Sequence, residues 1–293
     1  MAEAEPDEAG TVRGAWLDMR AAFRAAGLGS ADLDARTLVS NLAGLEPHQL
    51  VTAADLALTE DLKRRLQQAA DQRLAGKPVY RILGWREFYG LSLVLSEATL
   101  EPRSDTETLV DAVLPFVQEC GVRKGRCDIA DLGVGAGGIG LALVAGSSRA
   151  RCLGIDLSAT AVATAAANAE ALGLSGRYRA TKGDWLFGVE DTFDLIVSNP
   201  PYIPTQDLAS LSREVTDYDP MLALDGGSDG LDAYRIIADQ AGARLNQGGL
   251  VALEIGIGQS ESVRNLFGAR GFALAGSAAD LGGIDRVLIF HPV

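Results

Sequence analysis

The chain is poor in the residues on which most metal sites and histidine-dependent enzymes rely. Its 293 residues include two histidines, His48 and His291, and three cysteines, Cys120, Cys127 and Cys152. The cysteines follow no metal-binding spacing and do not form an even disulfide framework. We therefore expect no metal and no histidine base. Unpaired cysteines also suit a reducing compartment, so we expect a cytoplasmic protein.

Basic charge and long apolar runs are also scarce. Lys and Arg number 26 against 39 Asp and Glu, which gives a formal net charge of −13. This charge argues against a broad surface for nucleic-acid phosphates, so direct nucleic-acid binding is not expected. No apolar run approaches the roughly 20 residues that a transmembrane helix needs. The acidic segment 1–8 lacks a signal-peptide pattern. We expect a monomer without a membrane association.

The chain is long enough for two domains, and its pattern changes twice along its length. From residue 11 to about 75, apolar residues recur at helical spacing without strand signals, which predicts a helical domain over residues 1–75. Gly76-Lys77-Pro78 ends this block. Two apolar runs, 79–84 and 91–95, predict the strands of a hairpin within a linker over residues 76–97.

Residues 98–293 alternate between strand and helix patterns, which predicts a doubly wound, mostly parallel sheet. In such a fold the ligand binds at the carboxyl ends of the strands. The last two strands have no helix between them, which permits an antiparallel pair at one edge. The strand candidates are 127–132, 151–156, 177–181, 193–198, 250–255, 272–276 and 286–291, and the helix candidates are 105–118, 138–146, 158–172, 230–245 and 259–269.

A glycine-rich loop over residues 131–140 follows the first of these strands. Glycines in such a turn let the backbone approach a ligand closely, with helix N–H groups facing it. Asp156 ends the next strand, where a carboxylate can accept hydrogen bonds from both ribose hydroxyls. A cap for the following helix is the alternative for this residue. These features predict a nucleoside cofactor and fit NAD and S-adenosylmethionine equally well. The candidate cofactor-binding loop residues are Gly133, Val134, Gly135, Ala136 and Gly137.

The tetrapeptide Asn199-Pro200-Pro201-Tyr202 follows the predicted strand 193–198. Two prolines remove two backbone donors and fix φ near −65°, so the neighbouring carbonyls cannot join a helix or a ladder in the usual way. Asn199 adds a side-chain acceptor and Tyr202 adds an aromatic face. Together these groups can accept two hydrogen bonds from a planar NH2 group and stack upon it. A proline-rich turn without function is the alternative.

These segments together resemble the protein-(glutamine N5) methyltransferases of the HemK/PrmC type. The resemblance covers roughly residues 78–288, and the helical block fits that family's N-terminal domain in size and place. It implies a Rossmann-like class I methyltransferase domain with a seven-stranded, mostly parallel sheet and S-adenosylmethionine as the methyl donor. It further implies that the substrate is the glutamine in the Gly-Gly-Gln motif of peptide chain release factors. The matching segments include Pro102-Arg103 with Thr106-Glu107, the glycine loop, Asp156, the tetrapeptide 199–202 and Leu253-Glu254-Ile255-Gly256.

The chemistry of the tetrapeptide agrees with this resemblance. The side chain of Asn199 and the carbonyl of Pro200 can accept the two protons of a substrate amide, and Tyr202 can hold its plane. These three residues are therefore the catalytic candidates, and Pro201 joins them in the substrate-binding set. Methyl transfer then depends mainly on orientation and needs no strong base before attack. Trp185 stands at the family's adenine-contacting position, with a packed core tryptophan as the alternative.

The sequence departs from the family pattern at four positions. Glu101 and Ser104 replace the usual Ile and Pro around Pro-Arg, and Val134 and Ala136 replace Thr and Ser in the glycine loop. The lost hydroxyls remove possible contacts to the methionine part of the cofactor. Ser104 with Glu107 also predicts a capping box for the helix 105–118.

Other functions remain open from the residues alone. A glutamine methyltransferase of a ribosomal protein is the nearest alternative. An N6-adenine methyltransferase of nucleic acid would use the same tetrapeptide on a planar exocyclic amine. A cofactor-binding interaction module would leave the tetrapeptide without a role, and a dehydrogenase has only the generic glycine loop in its favour.

Overall fold

The computed structural model describes residues 10–52 and 56–293, so the acidic segment 1–8 lies outside the described residues. The chain forms two compact units, Met1–Gly84 and Trp85–Val293. Each unit has its own hydrophobic core. Among the described residues, no helix combines the length and the apolar character that crossing a bilayer would require.

The first unit is helical, as the sequence predicts. Thr11 and Thr59 cap two of its helices, because their side chains accept hydrogen bonds from Gly14 N and Leu62 N. Apolar residues at helical spacing, such as Phe23, Leu38 and Leu66, meet in the shared core. The helices are α1 (Val12–Ala25), α2 (Ala31–Ala43), α3 (Gln49–Thr52), α4 (Glu60–Leu74) and α5 (Val79–Leu83).

A buried ion pair links α2 to α4 inside this unit. Arg73 Nε donates to Asp34 Oδ2 at 2.7 Å, and the two side chains are 4% and 9% exposed. Ser30 Oγ donates a further hydrogen bond to the same carboxylate oxygen at 2.8 Å. Removing one partner of such a pair would leave a buried charge, which costs about 3–5 kcal/mol. The pair therefore fixes how α4 packs on α2.

The prediction of a strand over residues 79–84 is wrong, because this segment forms the helix α5. Pro78 stands at its N-cap with extended backbone, and Gly84 ends it with a φ of 77°. Val79, Ile82 and Leu83 lie at helical spacing and pack on the core of the first unit. A run of five residues is too short for its periodicity to separate helix from strand.

The predicted hairpin exists but starts later in the chain. Its strands are β1 (Trp85–Phe88) and β2 (Leu91–Val94), which pair antiparallel. The turn consists of Tyr89 and Gly90, whose φ angles of 51° and 72° are both positive. Positive φ at both central residues is typical of the two-residue turns that match strand twist.

The second unit is built on a seven-stranded sheet, which confirms the predicted fold class. Its helices pack on the sheet as expected for alternating strands and helices. The strands are β3 (Cys127–Leu132), β4 (Ala150–Asp156), β5 (Tyr178–Lys182), β6 (Phe193–Ser198), β7 (Leu245–Glu254), β8 (Phe272–Ala279) and β9 (Asp285–Pro292), and the helices are α6 (Glu107–Lys124), α7 (Gly138–Gly146), α8 (Ala159–Ala171), α9 (Arg213–Thr216), α10 (Asp232–Ala241) and α11 (Ser260–Gly268).

The strand order is β5-β4-β3-β6-β7-β9-β8. The five strands from β5 to β7 run parallel, and β9 lies antiparallel between β7 and β8. The predicted antiparallel pair at one edge is therefore confirmed. The chain runs outward from β3 to β5 and then returns to place β6 on the other side of β3. Ligands bind where the strand order reverses in this way, at the carboxyl ends of the strands.

Substitution of Gly140 tests how closely α7 packs on the sheet. A Cβ at this position would lie 2.7 Å from Cys152 Sγ and 2.8 Å from Asp131 Oδ2. We expect Gly140→Ala to lower the free energy of unfolding by about 1–3 kcal/mol, because the core would have to shift. Denaturant unfolding measures this change.

Gly268→Ala is the matched control, because a Cβ there would meet nothing within 4 Å and its backbone needs no positive φ. We expect it to leave stability unchanged or to raise it by about 0.4–1 kcal/mol. Equal losses in the two variants would contradict the close packing of α7.

Candidate active site

A cavity of about 300 Å³ opens at the carboxyl ends of β3, β4 and β6. It lies at the switch point of the sheet, where the fold predicts a ligand. The cavity brings together eight of the eleven residues that the sequence nominated. These eight are Gly133, Val134, Gly135, Ala136, Asp156, Trp185, Asn199 and Pro201.

The remaining three nominated residues do not line this cavity. Gly137 is the N-cap of α7, with a φ of 89°. Pro200 is buried, and Tyr202 packs against one of the core clusters of the second unit. The backbone carbonyl of Tyr202 accepts a hydrogen bond from Gln259 Nε2 at 3.0 Å, and burial raises the pKa of its hydroxyl to about 12. The stacking role of Tyr202 stays a prediction.

The glycine loop turns sharply between β3 and α7. Gly133 and Gly135 have φ angles of 70° and 54°, which an L side chain rarely adopts. The loop is fastened to β4, because Gly133 N donates to Ile155 O at 2.8 Å. Val134 and Ala136 are both buried, so these two departures from the family pattern exchange hydroxyls for apolar packing.

Asp156 connects the glycine loop to the helix that follows β4. Its carboxylate accepts hydrogen bonds from Gly135 N at 3.0 Å and from Ser158 N at 2.8 Å. The cap of α8 is Ser158, whose hydroxyl accepts from Ala161 N at 3.2 Å, so the alternative of Asp156 as the helix cap is wrong. Each carboxylate oxygen has a second lone pair with which to accept a hydroxyl from a ligand.

Trp185 forms one wall of the cavity and also packs against the core. Its φ is 52°, an uncommon conformation for a residue with a bulky side chain. Such strain persists only where the surrounding structure enforces it, and it clusters at ligand sites. Trp185 therefore packs against the core, as one of the two alternatives predicts, and also lines the cavity, while its contact with an adenine stays a prediction.

Asn199 follows β6, whose residues are all buried. Its Nδ2 donates to Thr106 Oγ1 at 3.1 Å. Because the oxygen and the nitrogen of an amide point in different directions, this bond leaves Oδ1 as the acceptor that Asn199 offers to a ligand. Thr106, which also lines the cavity, was not nominated as a site residue from sequence.

Arg103 is a cavity residue whose partner lies far away in sequence. Its guanidinium donates to Asp219 Oδ2 at 2.6 Å, and Glu101 N contacts the other oxygen of that carboxylate at 3.4 Å. Glu101 is buried and forms an ion pair with Arg86. No local pattern marks Asp219 as the partner, because 116 residues separate it from Arg103.

The predicted capping box of Ser104 and Glu107 is wrong. Residues Ser104–Thr106 form a 3-10 turn, and α6 begins at Glu107 without a side-chain cap. Glu107 Oε1 instead accepts a hydrogen bond from Tyr89 N at 2.8 Å. The carboxylate satisfies a backbone donor in the strained turn between β1 and β2, which is a tertiary contact rather than a local one.

Two buried carboxyl groups flank the site. Burial raises the pKa of Asp131, below the glycine loop, to about 7, although a hydrogen bond from Gly140 N opposes the shift. Burial likewise raises the pKa of Glu254, at the end of β7, to about 7. Hydrogen bonds from Thr106 and Asn199 and the charge of Arg286 act in the opposite direction. Both groups therefore titrate near neutrality.

Among the described residues, one cluster has ligand atoms close enough to hold a metal ion, namely Cys120, Cys127 and Asp194. Cys127 begins β3 and Asp194 is the second residue of β6. The cluster therefore lies at the amino ends of these strands, whereas the cavity lies at their carboxyl ends. The Asp194 carboxylate already accepts hydrogen bonds from Lys124, Asp128 N and Asn246. Burial raises the pKa of both thiols, whereas a metal ligand must be a thiolate.

Comparison with known proteins agrees with this geometry. Residues 112–216 match the family model described as the methyltransferase small domain, and residues 15–84 match the PrmC N-terminal domain. The second unit is thus a Rossmann-like methyltransferase domain. Among curated relatives, the release factor glutamine methyltransferase of Agrobacterium fabrum is 45% identical over 281 residues, covering 96% of this chain and 97% of that protein. The chain belongs to the release factor glutamine methyltransferase family, which confirms the resemblance seen in the sequence.

A second curated relative has the same name, and two solved structures have a similar fold. The release factor glutamine methyltransferase of Rhodospirillum rubrum is 44% identical over 288 residues, covering 98% of this chain and 87% of that protein. Among solved structures, a methyltransferase from Pyrococcus furiosus has a TM-score of 0.51 at 17% identity, covering 79% of this chain and 98% of that one. The hMettl16 catalytic domain, solved with the MAT2A 3'UTR hairpin 6, has a TM-score of 0.55 at 15% identity, covering 80% and 83%. These structural similarities show the fold alone.

The position of Asp156 predicts its effect on cofactor binding. We expect Asp156→Asn to weaken the binding of S-adenosylhomocysteine by about 1–3 kcal/mol, because the charge that strengthens bonds to hydroxyls is lost. Titration calorimetry measures the affinity. The melting temperature shows whether the substitution has also disturbed the hydrogen bond from Gly135 N. Asp207→Asn, at an exposed residue outside the cavity, should bind normally. Tight binding of NAD by the wild type would refute the cofactor assignment.

Proposed function

We propose that this protein transfers a methyl group from S-adenosylmethionine to the side-chain amide nitrogen (N5) of a glutamine. The proposed substrate is the glutamine in the Gly-Gly-Gln motif of peptide chain release factors. The observation that carries the proposal is the amide of Asn199, which follows β6 in the cavity that the glycine loop also lines. The membership of the chain in a family whose named members act on release factor glutamine supports the choice of substrate.

The cavity residues fit S-adenosylmethionine chemically. Asp156 offers carboxylate oxygens to ribose hydroxyls, and Trp185 offers a flat aromatic wall to an adenine. The glycine loop brings the backbone and the start of α7 against the ligand, as nucleoside sites require. We assign cofactor binding to these residues together with Val134, Ala136 and Asn199, and we assign Gly137 the role of holding the turn.

The reaction needs orientation more than acid or base strength. S-adenosylmethionine supplies an electrophilic methyl group on a sulfonium. An amide nitrogen is a weak nucleophile, because its lone pair is delocalised into the carbonyl. Asn199 Oδ1 and the Pro200 carbonyl would accept its two hydrogens, so that the lone pair is directed at the methyl carbon. The N–C bond forms as the C–S bond breaks, and the nitrogen then loses a proton to water. Fixed orientation alone can supply about 7–11 kcal/mol.

The first unit would provide recognition of the protein substrate. A glutamine in a loop offers little surface of its own, so discrimination among proteins needs a second contact area. The unit has a core of its own, which suits a separate recognition role. This role stays a proposal for the helical domain that the sequence placed at residues 1–75 and that the structure extends through α5.

We further infer a monomer that acts in the cytoplasm and without a metal. All three cysteines are free and buried, which suits a reducing compartment. Methyl transfer from a sulfonium is complete without a Lewis acid, since the positive sulfur already activates the leaving group.

A labelling assay tests the proposal together with the role of Asn199. The wild type is incubated with methyl-labelled S-adenosylmethionine and a release factor, a ribosomal protein or DNA, and mass spectrometry locates the label. We expect the label on the Gly-Gly-Gln glutamine. Asn199→Ala should lower this rate by orders of magnitude, because the acceptor that orients the amide is lost, while cofactor binding and circular dichroism change little.

Asn246→Ala is the matched control, since Asn246 lies at the amino end of β7 and therefore far from the carboxyl ends of the strands. Label on a ribosomal protein or on adenine instead would replace the proposed substrate. Near-normal turnover by Asn199→Ala would refute its assigned role.

Removal of the first unit tests the recognition role. We expect a chain that starts at Trp85 to bind S-adenosylhomocysteine nearly as well as the full chain and to show a strongly raised KM for a folded release factor. A short Gly-Gly-Gln peptide should be affected much less, because it has no second contact area to lose. Steady-state kinetics with both substrates measure this. An equal loss for protein and peptide would mean that the helices support the active site instead.

A further inference from the structure

The polar side chain of Asn199 has a second partner deeper in the sheet. Strands β6 and β7 run parallel, and Ser198 pairs with Leu253 in their register. Asn199 and Glu254 are the next residues of the two segments, so they lie side by side. Glu254 is only 3% exposed, at the end of a strand whose last residues are all buried. A carboxyl group at such a position requires an explanation, because burying it costs free energy.

Thr106 joins these two residues into a chain of hydrogen bonds. It is 5% exposed, and its Oγ1 accepts from Asn199 Nδ2 at 3.1 Å. The side chains of Thr106 and Asn199 also hydrogen-bond the Glu254 carboxyl, which lowers its pKa against the larger effect of burial. The other carboxyl oxygen, Oε2, is buried and has no hydrogen-bond partner among the described residues.

The direction of these hydrogen bonds decides how the Asn199 amide faces the cavity. An ionised carboxylate can only accept hydrogen bonds, so Thr106 must donate its single hydroxyl hydrogen to Glu254. Thr106 can then only accept from Asn199, which requires Nδ2 on that side. Oδ1 is thereby left to face the ligand. A substrate amide presents two N–H donors. The reversed Asn199 amide would place its own N–H donors against them and could not accept a hydrogen bond.

We propose that Glu254, acting on Asn199 directly and through Thr106, is a positioning residue that holds Asn199 with Oδ1 available to the substrate amide. This inference rests on the proposed function and assigns the Glu-Ile-Gly segment after β7 a role in the reaction. Glu254 does not contact the reacting atoms in this account. It selects one of the two orientations of an amide that would otherwise bind its neighbours equally well.

The protonation of Glu254 should therefore affect the reaction rate. A protonated carboxyl can donate to Thr106, whose hydroxyl hydrogen is then free to bond Asn199 Oδ1 and hold the reversed amide. Because the pKa of Glu254 is about 7, the protonated form gains population as the pH falls below 7. We expect the methyl-transfer rate at saturating cofactor to decrease in the same range. The groups that face Glu254 are Arg286, Asp105, Tyr202 and Tyr234.

The two tyrosines and Arg286 do not titrate in this pH range. Burial raises the pKa of Tyr202 to about 12 and that of Tyr234 well above its ordinary value. Burial lowers the pKa of Arg286, but its hydrogen bond to Asp280 and the nearby acidic charges raise the pKa above the ordinary value, so Arg286 stays charged. Asp131 does titrate near 7, but it lies below the glycine loop, where its charge acts on the cofactor side of the cavity. Measuring the rate at saturating cofactor removes the effect of Asp131 on cofactor binding from the pH profile.

Glu254→Gln in the full chain tests the proposal, because glutamine keeps the shape and can donate as well as accept. Single-turnover methylation of a release factor is measured at saturating cofactor from about pH 6 to about pH 9. We expect the rate at high pH to fall about 10–100-fold, the cost typical of a misplaced group. We also expect the pH dependence near 7 to disappear and the affinity for S-adenosylhomocysteine to stay unchanged. Glu261→Gln, at an exposed residue of α11, is the control.

A second pair of variants keeps the test decisive if Glu254→Gln folds poorly. Thr106→Ser retains the hydroxyl and should keep most of the rate. Thr106→Val has the same shape without the hydroxyl and should lose part of the rate, because only the direct contact of Asn199 with Glu254 remains. A wild-type rate with an unchanged pH profile in Glu254→Gln, or equal rates in the two Thr106 variants, would overturn the proposal. A wild type that leaves the release factor unlabelled would overturn the proposed function and this inference with it.

Discussion

The parallel pairing of β3 with β6 at the centre of the sheet is the constraint on which the site depends. The glycine loop leaves the end of β3, and Asn199 leaves the end of β6, so the pairing of Leu132 with Ser198 puts the two segments side by side. The hydroxyl of Ser198 donates to Leu132 O at 2.7 Å and strengthens this junction. Because both strands are almost entirely buried, their register cannot slip without exposing the core.

Backbone hydrogen bonds to carboxylates then shape the cavity. Asp156 holds Gly135 N, Asp131 holds Gly140 N, and Glu107 holds Tyr89 N. Gly135 and Tyr89 lie in turns, and Gly140 lies in the first turn of α7, so each carboxylate satisfies an N–H group that has no partner within a helix or a sheet. The apolar side chains of Val134 and Ala136 fill the space between these contacts. The loop is therefore held in place by the protein itself.

The carboxyls of Asp131 and Glu254 are buried in the second unit, where such groups are unfavourable. Each is almost fully buried and has one oxygen without a hydrogen-bond partner among the described residues. Groups of this kind cost free energy in the folded protein, and their shifted pKa values cluster at functional sites. Asp131 lies beneath the glycine loop and Glu254 lies beside Asn199, so the cost falls next to the two segments to which we assign the cofactor and the substrate amide.

Much of the fold and part of the site follow from the sequence alone. Strand and helix periodicity located the elements of the sheet, and β3 and β6 were bounded correctly, because turn residues and apolar runs are local signals. The glycine loop, Asp156, Trp185 and Asn199 were placed at strand ends for the same reason. The tertiary structure decided what joins them. The helix at Val79–Leu83 depends on packing against the core of the first unit. The pairing of Arg103 with Asp219 and that of Asn199 with Thr106 depend on partners that only the folded chain brings within hydrogen-bonding distance.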